Sequence, residues 1–194
     1  MWLINTHNGI KGVKPRIDIN EYPAVKAHLD QYWDKISTRA DKGDTPYNLR
    51  NCTYMDLFFQ PKIVYAELAR TGNAFTIDTC NYIVGCTGYI ITIPNNDKDT
   101  LLYLLAFLNS RVTLYCLNQI TSRFDENGWR WQRQFVEQLR IPMLADINRI
   151  TAEVVKVNRK NQAKLSEAIN AIVTDIYNLT KEEVDFINKR LLKY

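Results

Sequence analysis

Between Phe58 and Ile93 four short β-branched and aromatic runs are each closed by a turn residue, and helical spacing flanks them on both sides. Lys62-Ile63-Val64-Tyr65, Phe75-Thr76-Ile77-Asp78, Tyr82-Ile83-Val84 and Tyr89-Ile90-Ile91-Thr92-Ile93 read as strands. Thr71-Gly72-Asn73 and Gly85 to Gly88 turn the chain between them, and Pro94 closes the last. Runs this short, joined by turns, predict a small, mostly antiparallel sheet. The flanks decide what packs on it. Pro23 to Ile36 carries Val25, Leu29, Tyr32 or Trp33, and Ile36 at helical spacing, with Pro23 in the first turn. Asp97 or Asp99 caps a helix from about Thr100 to Ile120, whose buried face is Leu101, Leu104, Leu105, Leu108, Val112 and Tyr115. The expected fold class is α+β, a small mostly antiparallel sheet packed with helices, plus a long C-terminal helical extension.

That extension begins at Asp146. Ile147, Ile150, Val154 and Val157 recur at three and four residues, as do Leu165, Ala168 or Ile169, Ile172 and Ile176. Asn161 and Lys164 interrupt the stripe, which predicts a long helix that bridges solvent. Thr180-Lys181-Glu182-Glu183 is a capping box that starts a final helix bearing Val184, Ile187 and Leu191. The expected division is therefore 1–145 and 146–194. Asn5 to Gly12, Ser37 to Asn51 and Thr121 to Gly128 have loop composition, the second expected to be mobile.

The catalytic patterns that this chain lacks narrow its chemistry. No Asp or Glu is followed two positions later by Lys, so the acidic metal-holding triplet of restriction-type nucleases is missing. The prolines are never adjacent, which excludes the Pro-Pro-aromatic loop of amino-methyltransferases. No Gly-x-Gly and no Walker loop occurs. Cys52, Cys80, Cys86 and Cys116 form no C-x-x-C pair, and His7 and His28 lie far from them, so no metal site is expected. His28 reads as a helix-surface imidazole. Met1-Trp2-Leu3-Ile4 is too short for a signal peptide, and Leu101 to Leu108 is too short for a membrane span. A cytoplasmic, reduced environment and no membrane partner are expected. By itself the chain reads as non-catalytic.

What remains is basic and aromatic. The net charge of +4 suits a nucleic-acid partner without demanding one. Three segments mix the residue types that read bases and hold phosphates: Asn48 to Tyr54, Arg70-Thr71-Gly72-Asn73, and Arg123 to Arg133. Arginine pairs in bidentate fashion with guanine, and Asn or Gln with adenine. From composition alone, solvated loops with a few packed aromatics are the simpler reading.

Four further segments change that balance: Ile17 to Leu29 (IDINEYPAVKAHL), Phe59 to Leu68 (FQPKIVYAEL), Tyr103 to Arg111 (YLLAFLNSR) and Gln134 to Pro142 (QFVEQLRIP). In this order and spacing, over about residues 3 to 145, they resemble the TaqI-like C-terminal specificity (target-recognition) domain of type IIG restriction-modification enzymes. The specificity subunits of type I systems share a similar Leu-Asn-Ser helix and helix-then-Ile-Pro exit. One departure is Leu139-Arg140-Ile141-Pro142, where relatives often have Leu-Pro-Ile-Pro. The resemblance implies sequence-specific reading of double-stranded DNA, mainly through the major groove. It also implies an adenine methyltransferase upstream, in many members a nuclease as well, and makes this chain a fragment or detached module with these domains as partners. S-adenosylmethionine and Mg2+ would belong to the parent enzyme, with no cofactor held here. Arg50, Arg70, Asn73, Arg123, Asn127, Arg130, Gln132 and Arg133 are the expected DNA contacts, with Lys62 and Arg111 behind them. The motif residues themselves are expected to be structural. A module that docks on a methyltransferase and has little DNA affinity of its own is the alternative.

Overall fold

The computed structural model describes residues 3–70, 74–126, 128–143, 147–156 and 162–192. The chain divides into two compact units, Met1–Leu57 and Phe58–Tyr194, and the class is α+β.

In the first unit Asp18 caps a single 3-10 turn, Ile19–Glu21, by accepting from the Asn20 N–H at 3.0 Å. Pro23 opens α1 (Pro23–Asp30), and α2 (Trp33–Thr38) follows. The expected single helix is thus two. Tyr32 leaves helical dihedrals (φ −114°, ψ 20°), and its N–H closes a tighter turn on the Leu29 carbonyl. His28 is exposed, with its ring edge-on to Tyr32. The segment from Ser37 to Asn51, expected to be a mobile loop, is held by side chains that replace a ladder. Buried Asn48 donates to the carbonyls of Thr6, His7 and Ile17 and accepts from the Thr45 hydroxyl, and Arg39 donates to the carbonyls of Pro46 and Asn48. A buried amide that satisfies several backbone groups ties the loop to the segments beside it.

The second unit holds two three-stranded antiparallel sheets where one was expected. β1 (Lys62–Ala66) runs into β2 (Leu68–Ala69) across a single residue, Glu67. β1 is central to the first sheet, between β3 (Thr76–Asp78) and β4 (Gly88–Ile91), with Ile63 opposite both Ile77 and Ile91. β2 belongs to the other sheet, which is completed by β5 (Arg123–Asp125) and β6 (Gly128–Arg130) in the order β2-β6-β5. Tyr82-Ile83-Val84, read as a strand, is in none of these strands. Asp78 takes the N–H groups of Cys80 (2.7 Å) and Tyr82 (2.9 Å), and Asn81 turns through φ +61°, so the chain is diverted just beyond β3.

Asp97 caps α3 (Lys98–Leu108), as its position suggests. The apolar stripe read as one helix to Ile120 bends by 65° at Asn109-Ser110, and α4 (Arg111–Ile120) continues beyond. Both residues have work there. The Ser110 hydroxyl accepts from the Thr113 N–H, capping α4, and the Asn109 amide accepts from the Phe75 N–H (3.2 Å) and donates to its carbonyl (2.9 Å). A serine at this position offers a helix start inside an apolar run. α5 (Arg133–Val136), α6 (Asn148–Val155), α7 (Gln162–Ile176) and α8 (Lys181–Leu191) follow, the last opened by the expected capping box of Thr180 and Glu183.

α3 is shared by two cores. Leu101 and Leu108 face Ile63, Tyr65, Phe75, Leu117, Trp129 and Trp131. Tyr103, Ala106 and Phe107 face Val112, Ile150, Ile172, Val173 and Ile187. Each fully buried side chain of this kind is worth about 1.5–3 kcal/mol, so α6 to α8 are packed elements rather than a helix that bridges solvent. The expected boundary at 145 falls inside this unit. Of the residues said to interrupt the stripe, Asn161 lies outside the described residues, as does the Lys164 side chain. No single helix among the described residues is long and apolar enough to cross a membrane.

Candidate nucleic-acid interface

Alternation along β6 sorts the aromatic-basic segment into two faces. Trp129 lies opposite Ala69 and Arg123, while Arg130 lies opposite Leu68. Successive residues of a strand point to opposite sides. Trp129 and Ala69 are accordingly buried, and Arg130 and Leu68 are exposed. Trp131, just past the strand, is 1% exposed and stacks on Phe75 at 5.4 Å. The two tryptophans of the aromatic-basic segment are core residues, because each faces inward from the sheet or its exit. Their burial leaves arginine and glutamine to form the surface.

Five of the expected residues lie on or just beyond this sheet, Arg123 on the side of Trp129 and Arg130 on the other. The Arg123 guanidinium lies over the Trp129 ring, 4.5 Å from its centre, and donates to the Glu126 carbonyl. That of Arg70 lies 5.0 Å from the Phe124 ring centre and pairs with Asp125 at 2.5 Å. Gly128 permits this crowding: an added Cβ would sit 2.2 Å from the Phe124 ring. Arg130 (3.4 Å) and Gln132 (3.2 Å) reach the same Glu67 oxygen, at the residue where one sheet hands over to the other. Arg133 pairs with Glu137 one helical turn on, at 2.5 Å. Stacked and paired guanidiniums are oriented ones. The pairs of Arg70, Arg130 and Arg133 are largely exposed, where solvent screens them and such contacts contribute little. A phosphate or a guanine edge can therefore displace the carboxylate at little cost.

The remaining expected residues are elsewhere. Arg50 belongs to the first unit, exposed and 3.4 Å from Asp41. Asn73 and Asn127 lie outside the described residues. Lys62 is no surface contact. It is fully buried and donates to Asp78 (2.5 Å) and the Phe58 carbonyl (2.7 Å). Burial pushes the Asp78 carboxyl up, yet the Lys62 ammonium and the Cys80 and Tyr82 N–H groups outweigh it and hold the group below the usual carboxylate range. Arg111 pairs with Glu167, and its own N–H donates to Asn170 at 2.8 Å, so it ties α4 to α7.

Two features were missed. Glu67, which gathers Arg130 and Gln132, carried no signal in the sequence. The β5–β6 hairpin did: polar and aromatic residues alternate on both sides of Asn127-Gly128, a strong hairpin dipeptide. A third feature is in the first unit, where a concavity of about 730 Å3 is lined by Asn8 to Arg16, Asp44 and Asn51 to Thr53.

No family model matches the chain. A comparison with known proteins finds the type II methyltransferase M.BstVI of Geobacillus stearothermophilus, 23% identical over 192 residues. The chain resembles part of a type II methyltransferase. The match takes in 97% of this chain and 33% of the relative, so the chain spans about a third of that protein's length. This distant likeness agrees with the coarser part of the expectation, a protein related to restriction-modification systems.

Proposed function

We propose that this chain is the target-recognition module of a restriction-modification enzyme, reading double-stranded DNA with the arginine face around β2, β5 and β6. The observation that carries the reading is the placement of Arg70, Arg123, Arg130, Gln132 and Arg133 on one small sheet and its exit, backed by a core that contains Ala69, Trp129 and Trp131. Bidentate and planar donors on rigid elements are what base-edge recognition requires. The distant similarity to M.BstVI supports a parent that carries a methyltransferase elsewhere. In the finer form of the proposal that parent is a type IIG enzyme, its specificity part TaqI-like, with S-adenosylmethionine and Mg2+ used by its other domains. This chain then contributes no bond-making group.

Selection of bound duplexes from a random library tests the reading. The native chain enriches one motif, and Arg123→Ala, Arg130→Ala and Arg133→Ala together abolish the enrichment. Each base-reading arginine lost costs about 1–3 kcal/mol at one base pair. Unaltered binding by the triple variant would refute the placement of the site. Labelled S-adenosylmethionine added to the chain and DNA gives no methyl transfer.

A second reading has its own observation. Arg70, Arg130 and Arg133 each carry a carboxylate partner, and the net charge is only +4. A module that docks on a methyltransferase and contributes little DNA affinity has the same features. Gel filtration and crosslinking with the methyltransferase polypeptide, without DNA, separate the two.

A further inference from the structure

The concavity in the first unit is built around a short, stiff hairpin. Ile10 and Lys14 form an antiparallel bridge, and the Val13 and Lys14 N–H groups both return to the Ile10 carbonyl at 2.9 Å. Gly9 and Gly12 make it possible, with φ of +76° and +77°. At Gly9 an added Cβ would also stand 2.5 Å from the Lys14 carbonyl oxygen, so no other residue fits. The base is pinned by Asn8, which donates to Asp44 and Asn51 and accepts from the Asp44 N–H, and by the Ile17 N–H on the His7 carbonyl.

The lining is chemically one-sided. Lys11, Lys14 and Arg16 bring three cations to it, and Asp44 is its one carboxylate. Asn8, Asn51 and Thr53 add neutral polar groups. Arg16 is 3.5 Å from Asp44 and Lys14 is 3.9 Å from Asp56, both exposed pairs. Lys11 has no carboxylate partner among the described residues. Val13 at the tip is 76% exposed. A hydrogen-bonded loop that carries cations on either side of its tip, over a polar hollow, has the chemistry that holds a phosphodiester strand.

We propose that this hollow, with Lys11, Lys14 and Arg16, is a second DNA site that holds backbone phosphates irrespective of sequence. The inference rests on the DNA-reading proposal above and adds a phosphate grip to it in the other unit. It is tested on the full chain with a fluorescein-labelled random-sequence duplex, titrated from 50 to 200 mM NaCl, comparing the native protein with Lys11→Ala/Lys14→Ala/Arg16→Ala. Three lost phosphate contacts flatten the log–log salt slope by about 2.7, so the native chain loses about 40-fold more affinity than the variant over that range. The variant keeps whatever sequence preference the native chain has. Lys11→Glu alone, an exposed change away from the hairpin's hydrogen bonds, weakens every duplex alike, which guards against misfolding of the triple variant. Inorganic phosphate at matched ionic strength displaces the duplex no better than chloride.

Native affinity and slope in both hairpin variants would overturn this site and leave the arginine face standing. Loss in the hairpin variants, with an Arg123/Arg130/Arg133 variant unchanged, would uphold the hollow and sink the arginine face. No duplex binding by the native chain at 50 mM salt would sink both. Full displacement by millimolar phosphate would overturn the phosphodiester assignment.

Discussion

Replacing Lys62 with methionine removes one half of a buried charge pair. The ammonium is fully buried and Asp78 is 6% exposed, 2.5 Å away. Methionine fills similar space, so the loss is electrostatic rather than a cavity. Breaking such a pair costs about 3–5 kcal/mol because the surviving charge is left without its partner. Asp78 keeps the N–H groups of Cys80 and Tyr82, which sets the expected loss near the low end, about 3 kcal/mol. That is a large part of the 5–15 kcal/mol that holds a typical domain. The pH dependence is diagnostic. In the native chain Asp78 sits below its ordinary carboxyl value of 3.8, so its contribution is complete above that pH and fades as pH falls through the lowered value. In the variant the lysine no longer helps to lower the carboxyl, so Asp78 takes up a proton at higher pH than in the native chain. The penalty is then largest at neutral pH and shrinks on acidification as Asp78 takes up a proton. Urea denaturation followed by tryptophan fluorescence reports it, since Trp131 is buried in the same core as Ile63. A loss below about 1 kcal/mol, the level of a surface pair, or one that does not shrink toward acid pH, would refute the reasoning.

Three further outcomes are expected. Glu67→Gln removes the carboxylate shared by Arg130 and Gln132 and should tighten duplex binding, seen by fluorescence anisotropy; weaker binding would mean that Glu67 positions these side chains rather than competing for them. Gly9→Ala forces a side chain into the left-handed region and against the Lys14 carbonyl, which should cost at least about 1–3 kcal/mol and open the hairpin to proteolysis between Lys11 and Lys14. Thr180→Ala breaks the capping box of α8 and should lower stability by about 1 kcal/mol, measured by thermal denaturation, with no change in DNA binding.

Much of the fold was legible because local chemistry and tertiary role coincide. Ile63, Val64 and Tyr65 are β-formers in a central strand, and Thr180 with Glu183 caps a helix wherever the box occurs. The errors arose where a distant or neighbouring side chain intervened. Tyr82 to Val84 has strand composition, but Asp78 takes its leading N–H, that of Tyr82. Lys62 looks like a surface cation until Asp78, sixteen residues on, comes opposite it across the β1–β3 ladder. The candidate site was partly legible. The arginines of the hairpin were named from composition, but not that the tryptophans between them point inward, since that needs the strand's two faces. Lys11, Lys14 and Arg16 went unnoticed because their spacing gains meaning only when two glycines fold the segment back.

The bend between α3 and α4 has one more effect. β3 is an outer strand of its sheet, and the backbone just before it, at Phe75, engages the Asn109 amide through both its N–H and its carbonyl. A side-chain amide offers the same donor and acceptor as a peptide group, so Asn109 acts as a one-residue imitation of a neighbouring strand. It stoppers the place where a foreign chain would begin to zip on. An alanine there would straighten nothing and fill no cavity, yet it would uncork a sheet margin and invite self-association.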